Sequence, residues 1–175
     1  MSDKIFFLTI YVILVSLSIV KCKVVEISSG KIEGTTNISR SGYIFDAFLN
    51  IPFAAPPVDE LRFQPPQPVT PWTGILDGKK FGDICIQFFK GRTGGSEDCL
   101  RLNVFTKNLD SQNSLPKPVL VYFHGGKWEI GSAIVSYPNY LMDRDIVVVT
   151  VNYRLGALGF LSVGSLDAVG NMALK

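Results

Sequence analysis

Histidine and cysteine are scarce in this sequence: His124 stands alone, and only Cys22, Cys85 and Cys99 carry sulfhydryl groups. So thin a supply of soft ligands gives no reason to expect a metal site. An excess of one charge is missing too. Seventeen Lys and Arg face 15 Asp and Glu, a formal +2, scattered rather than gathered into blocks. That excludes a nucleic-acid partner, which needs a basic stripe or patch. Repeats and low-complexity tracts are absent, which removes solenoids and polar linkers. The uncharged N-terminal run, Ile5 to Val20, is 16 residues long, short of the roughly 20 that a spanning helix needs.

That run follows Lys4 and ends on Val20, which with Cys22 takes the −3 and −1 positions of a cleavage site. Basic start, apolar middle and small exit make a signal peptide over 1–22, with cleavage after Cys22. Cleavage after Ser18, or an uncleaved anchor, is the alternative. The mature chain, 23–175, is then secreted and has no membrane span. It keeps two cysteines, Cys85 and Cys99, an even number suited to a disulfide in an oxidising compartment. Gly91, Gly94 and Gly95 make the intervening segment pliable enough to close. Closing a loop of about 15 residues is worth roughly 3 kcal/mol; two free buried thiols are the alternative. The sequon Asn37-Ile38-Ser39 lies in a polar stretch that suits a glycosylated turn.

With 47% hydrophobic residues, the chain has material for one sizeable core. "KVVEISSGKIEGTTNI" reads as two strands about a Ser-Ser-Gly turn, and "GYIFDAFLNIPFA" as a strand broken by Pro52 and Pro56. "PVDELRFQPPQPVTPWTGILDG" has no period and reads as a surface-hugging loop pinned by Trp72 and Phe63. "CLRLNVFTK" alternates, with Leu100, Leu102, Val104 and Thr106 on one face. "PVLVYFHGG" and "DIVVVTVNY" are continuous apolar runs, the habit of parallel strands covered by helices on both faces. "SYPNYLMDR" suits a short helix, and "GALGFLSVG" a loop punctuated by glycine. The fold class is α/β. A glycine pair directly after a buried-looking strand, Gly125-Gly126, means that backbone comes close to something there.

"IPFAAPPVDELRFQPPQPVTPW", "SEDCLRLNVFT", "PVLVYFHGG" and "VNYRLGALGFL", in that order, resemble the N-terminal third of type-B carboxylesterases. That family includes insect esterases, juvenile hormone esterases and cholinesterases, and silent relatives such as neuroligins. The resemblance implies an α/β-hydrolase fold and hydrolysis of a small-molecule carboxylic ester by a Ser, an acid and a His, with no cofactor. It makes the loop after Phe123 an oxyanion hole, with the N–H groups of Gly126 and Lys127 as donors and Gly125 turning the strand. Family members carry Gly or Ala where this chain has Lys127. His124 precedes that loop, far from the family's downstream catalytic His, and is assigned a structural role. Arg62 and Glu97 match a salt bridge of the scaffold, and Asp98 is structural as well. Arg154 anchors the next loop to an acid expected just past Lys175.

No G-x-S-x-G occurs. "VGSLDAVG", Val163 to Gly170, has the wrong spacing and follows a loop, so Ser165 is no nucleophile. "GNMALK" matches a family stretch that precedes the elbow. The chain therefore reads as a fragment: a small antiparallel N-terminal sheet plus the first central strands of the domain, with no catalytic Ser, acid or His. The parent is a secreted ester hydrolase; a silent adhesion or binding protein of the neuroligin or glutactin kind, or a complete small binding protein, are the alternatives. In the cholinesterases that the sequence resembles, the loop between the first two cysteines carries a Trp that binds the quaternary ammonium through its ring face. The Cys85–Cys99 loop has Phe88 and Phe89 but no Trp, so the resemblance disfavours choline esters.

Overall fold

The computed structural model describes residues 22–109, 115–165 and 168–173. The expected signal peptide, apart from Cys22, lies outside the described residues. Among these, no helix is long and apolar enough to cross a membrane.

Three sheets form among the described residues, of three, five and two strands. β1 (Val24–Ile27) and β2 (Gly30–Glu33) form the expected hairpin, pairing Val24 with Glu33 and Ile27 with Gly30. Gly30, at φ +146°, lies under the indole of Trp72; a Cβ there would sit 2.5 Å from Nε1. Trp72 donates Nε1–H to the Lys31 carbonyl at 2.8 Å and its backbone N–H to the Ser29 carbonyl at 2.9 Å. So held, the chain leaves Trp72 alongside β2, and β5 (Ile75–Asp77) pairs with it in parallel. The segment expected to be wholly loop thus ends in a strand. Three residues are too few for a period to register, and the docking of Trp72 creates the pairing. Phe63, the other expected pin, is half-buried and packs into none of the core clusters.

The larger sheet runs β3 (Thr35–Ile38), β4 (Ile44–Pro52), β8 (Arg101–Thr106), β10 (Val147–Val151), β9 (Val119–Phe123) in space. All neighbours are antiparallel except β10 and β9, which run parallel. Strand alternation distributes the core. Phe45, Ala47, Leu49, Phe105, Met142 and Val148 pack on one face with Phe81, Tyr137 and Ile146. Phe48, Ile51, Leu102 and Val104 join Ile32, Trp72 and Leu76 in the cluster that seats the small sheet on the large one. Asn37 falls within β3, opposite Phe45, and is half-buried rather than in a turn. The β-branched neighbours Thr35, Thr36 and Ile38 carry the strand through the sequon, and the turn begins only at Ser39.

The parallel pairing of β9 and β10 agrees with their apolar runs, but the expected burial does not follow. Every residue of β9 is exposed, from 37% to 61%, and β10 alternates between buried and half-buried. Burial on both faces needs covering helices. The one α-helix among the described residues is α1 (Gly156–Phe160), five residues long. It replaces an expected loop: Leu161 N–H closes on the Ala157 carbonyl at 3.0 Å. Gly159 lies where a Cβ would meet the Arg154 carbonyl at 2.3 Å, so only glycine fits there. "SYPNYLMDR" holds a single 3-10 turn, Leu141–Asp143.

Candidate active site

β9 delivers the chain to His124, which is 5% exposed. Its ring stacks on Tyr153, centroids 4.3 Å apart and planes 14° from parallel. Nδ1 lies 2.9 Å from the Gly125 carbonyl, a contact that places the proton on Nδ1. Tyr153 Oη–H donates to the His124 carbonyl at 2.5 Å. Burial pushes the imidazole pKa below its ordinary value and the Tyr153 phenol up. The ring is neutral and committed to shaping the backbone at the strand end.

The next residues turn sharply. Gly126 has φ +125°, and a Cβ there would lie 1.9 Å from the Ile130 carbonyl oxygen, which makes glycine obligatory. Its carbonyl accepts from Glu129 N–H at 3.1 Å and from Ile130 N–H at 3.0 Å. Lys127 and Trp128 follow at φ +58° and +64°, two successive left-handed residues. A side chain in that region costs roughly 1–2 kcal/mol, so Lys127 occupies a position that suits glycine. Trp128 holds the turn: its carbonyl accepts from Gly156 N–H at 2.7 Å. Its ring packs on Tyr153 at 5.6 Å and Phe160 at 5.5 Å.

The backbone N–H groups of Gly125, Gly126 and Lys127 form no hydrogen bond with any described residue. Unsatisfied donors at a turn are available to a ligand. Gly125 and Gly126 border an open cleft of about 360 Å³ lined also by Gln87, Phe89, Ile130 and Gly131. Lys127, the next residue along the chain, is exposed. Chemically, adjacent uncommitted N–H donors beside an apolar cleft can receive a developing oxyanion.

Gln87 and Phe89 of the cleft lining come from β6 (Gln87–Phe89), which pairs with β7 (Arg92–Gly94) as a hairpin. Cys85 and Cys99 are joined beneath it as a disulfide, Cα atoms 5.0 Å apart, within the ordinary range. Cys22 is free and exposed.

The carboxylesterase family matches this sequence over residues 21–175. The chain belongs to the carboxylesterase family. It is 43% identical over 157 residues to esterase E4 of Myzus persicae, covering 86% of this chain and 28% of that protein. Juvenile hormone esterase of Tribolium castaneum is 41% identical over 152 residues, 83% of this chain and 26% of that one. In structure it is similar to juvenile hormone esterase from Manduca sexta with OTFP covalently attached. The TM-score is 0.79 and the identity 35%, over 87% of this chain and 30% of that one. The chain thus spans little more than a quarter of the length of these curated relatives. Its fold is the N-terminal portion of an α/β-hydrolase.

Arg62 grips Glu97 with Nε and Nη2 at 2.7 and 2.8 Å. These bonds raise the Arg62 pKa, the hydrogen bond contributing more than the bare charge. They tie the Pro-rich segment to the disulfide loop. Asp98 takes a two-point bond from Arg101, at 2.7 and 2.8 Å. Arg154, 4% exposed, donates Nη2 to the carbonyls of Gln64 and Met172. Its Nε and Nη1 have no partner among the described residues, and burial lowers its pKa. Ser165 sits in a bend after α1, not at a strand-to-helix turn.

Two side-chain amides escaped the sequence reading. Buried Asn152 accepts from Ala133 N–H at 2.8 Å and donates to the Asp83 carbonyl at 3.1 Å. Gln87 bonds to both polar groups of the Gly131 backbone. Both join the returning arm of the loop to residues 83–87. No local pattern announces such contacts, which span 44 residues for Gln87 and Gly131.

Proposed function

We propose that this chain is the N-terminal segment of a secreted carboxylic-ester hydrolase and supplies its oxyanion hole. The observation that carries the reading is the run of uncommitted N–H groups at Gly125, Gly126 and Lys127, of which Gly125 and Gly126 line the cleft. In the full-length protein a serine downstream of Lys175 attacks the ester carbonyl, and the C=O π pair moves onto oxygen. Gly126 and Lys127 N–H meet that charge; it collapses back as the alcohol leaves, and water then releases the acid. One such donor is worth roughly 3 kcal/mol in the transition state. Nucleophile, acid and base all come from outside 23–175, so this segment alone hydrolyses nothing. Secretion is supported by the leader over 1–22 and by the Cys85–Cys99 disulfide. The substrate is a small-molecule ester. The ammonium of exposed Lys127, next in sequence to the cleft residue Gly126, disfavours bulky neutral ones.

The test is Lys127→Gly in the full-length protein, assayed on esters of graded size. Turnover of bulky neutral esters should rise severalfold, while small acetate esters change little. Hydrolysis at background for every ester, in parent and variant alike and with an intact nucleophile, overturns the reading. A binding protein would then be the better account.

A further inference from the structure

We propose that Gln87 is a positioning residue for ester hydrolysis, its side-chain amide clamping the oxyanion loop to the disulfide-closed hairpin. The proposal rests on the oxyanion role of Gly126 and Lys127 and adds what holds those donors in place. Gly131 ends the loop. Its N–H donates to Gln87 Oε1 at 2.9 Å, and its carbonyl accepts from Gln87 Nε2 at 3.0 Å. Nε2 also donates to the Cys85 carbonyl at 3.0 Å. Both amide hydrogens and the oxygen are therefore used, and the flipped amide would set its oxygen against two carbonyl oxygens.

On the hairpin side the anchor is firm, because Cys85 is bonded to Cys99 two residues before Gln87. On the loop side Gly131 touches the start of the same loop. At φ +122°, a Cβ there would lie 2.3 Å from His124 Nδ1 and 2.6 Å from the Gly125 carbonyl. Displacing Gly131 therefore presses directly on His124 and Gly125, and the donors Gly126 and Lys127 lie between these two fixed points. A displacement of about 1 Å in such groups lowers turnover about a hundredfold. Gln87 acts through Gly131, not on the ester.

Gln87→Met in the full-length protein keeps the volume and removes all three bonds. With p-nitrophenyl butyrate as probe, kcat should fall roughly tenfold to a hundredfold, with KM changed by no more than about threefold. Amide hydrogen exchange over 125–131 should accelerate in the same variant. Gln87→Glu supplies a readout that a merely structural role does not move. As a carboxylate it faces the Gly131 and Cys85 carbonyls without a proton to give; once protonated it can donate again. Its kcat relative to the parent should recover as pH falls from 8 toward 5.5, whereas that of Gln87→Met should not. This arm also serves if Gln87→Met fails to fold. A kcat for Gln87→Met within twofold of the parent, or a lower kcat with unchanged exchange over 125–131, overturns the proposal. If the parent hydrolyses no ester, the hydrolase reading fails and exchange alone decides the clamp: acceleration supports it, and no change removes it.

Discussion

A histidine at the mouth of an esterase-like cleft invites a catalytic assignment, yet His124 has little left to offer. Nδ1 faces the Gly125 carbonyl, one ring face is stacked on Tyr153, and burial favours the neutral form. The consequence is a pH signature in stability. The folded pKa lies below the ordinary 6.5, so above pH 6.5 both folded and unfolded chains hold a neutral ring. As pH falls from 6.5 toward the folded value, the unfolded chain takes up the proton first, and stability is lost across that window. Asp143 behaves in the same sense but much lower. Hydrogen bonds from Ser39 and Ser41 hold its carboxyl below 3.8, so its contribution is lost only in stronger acid. The thermal advantage of the parent over His124→Gln should therefore shrink between pH 7.5 and 5. An advantage that stays constant across that range would show that the buried ring does not titrate as its surroundings require.

The elements around the cleft show how a short covalent loop can serve a longer polar one. The Cys85–Cys99 disulfide closes β6 and β7 into a unit, and Gln87 passes that rigidity to the loop after β9. Converting both cysteines to serine should cost roughly 3 kcal/mol on the chain-entropy account. It should also lower kcat in the same sense as Gln87→Met. Unfolding curves identical with and without reductant would count against the bridge as a stabilising element. The sequence made some of this architecture legible. β8 announces itself by alternation, β4 by its aromatic and β-branched residues, β9 and β10 by unbroken apolar runs, and the loop by Gly125 and Gly126. β5, β6, β7 and α1 do not, because elements of three to five residues contain too little of any period. The left-handed backbone of Lys127 was equally hidden, since lysine gives no local sign of a positive φ. Gln87 and Asn152 matter only through partners far along the chain.

Over the whole molecule, the two edges of the large sheet differ sharply. β3 is short and bears Thr35, Thr36 and Asn37, a guarded edge. β9 at the other edge presents Val119, Leu120, Val121, Tyr122 and Phe123, all exposed, and among the described residues pairs only with β10. A row of unpaired backbone groups flanked by apolar side chains is a template for another strand. Without Asp3, Lys4 and Lys21, residues 23–175 carry a formal net charge of only +1, which does little to keep copies apart. Residues 23–175 produced alone should therefore self-associate and bind a hydrophobic dye. Val121→Lys should reduce both effects, because a lysine on an open edge repels its like. In the full-length protein the same substitution should act in the opposite direction: a covered β9 would bury the new charge without a partner, which is strongly destabilising. Light scattering on the segment and thermal unfolding of the full-length protein separate the two contexts. A segment that stays monomeric and dye-free, or a full-length protein indifferent to Val121→Lys, would mean that β9 is an edge in its own right and not the seat of further structure.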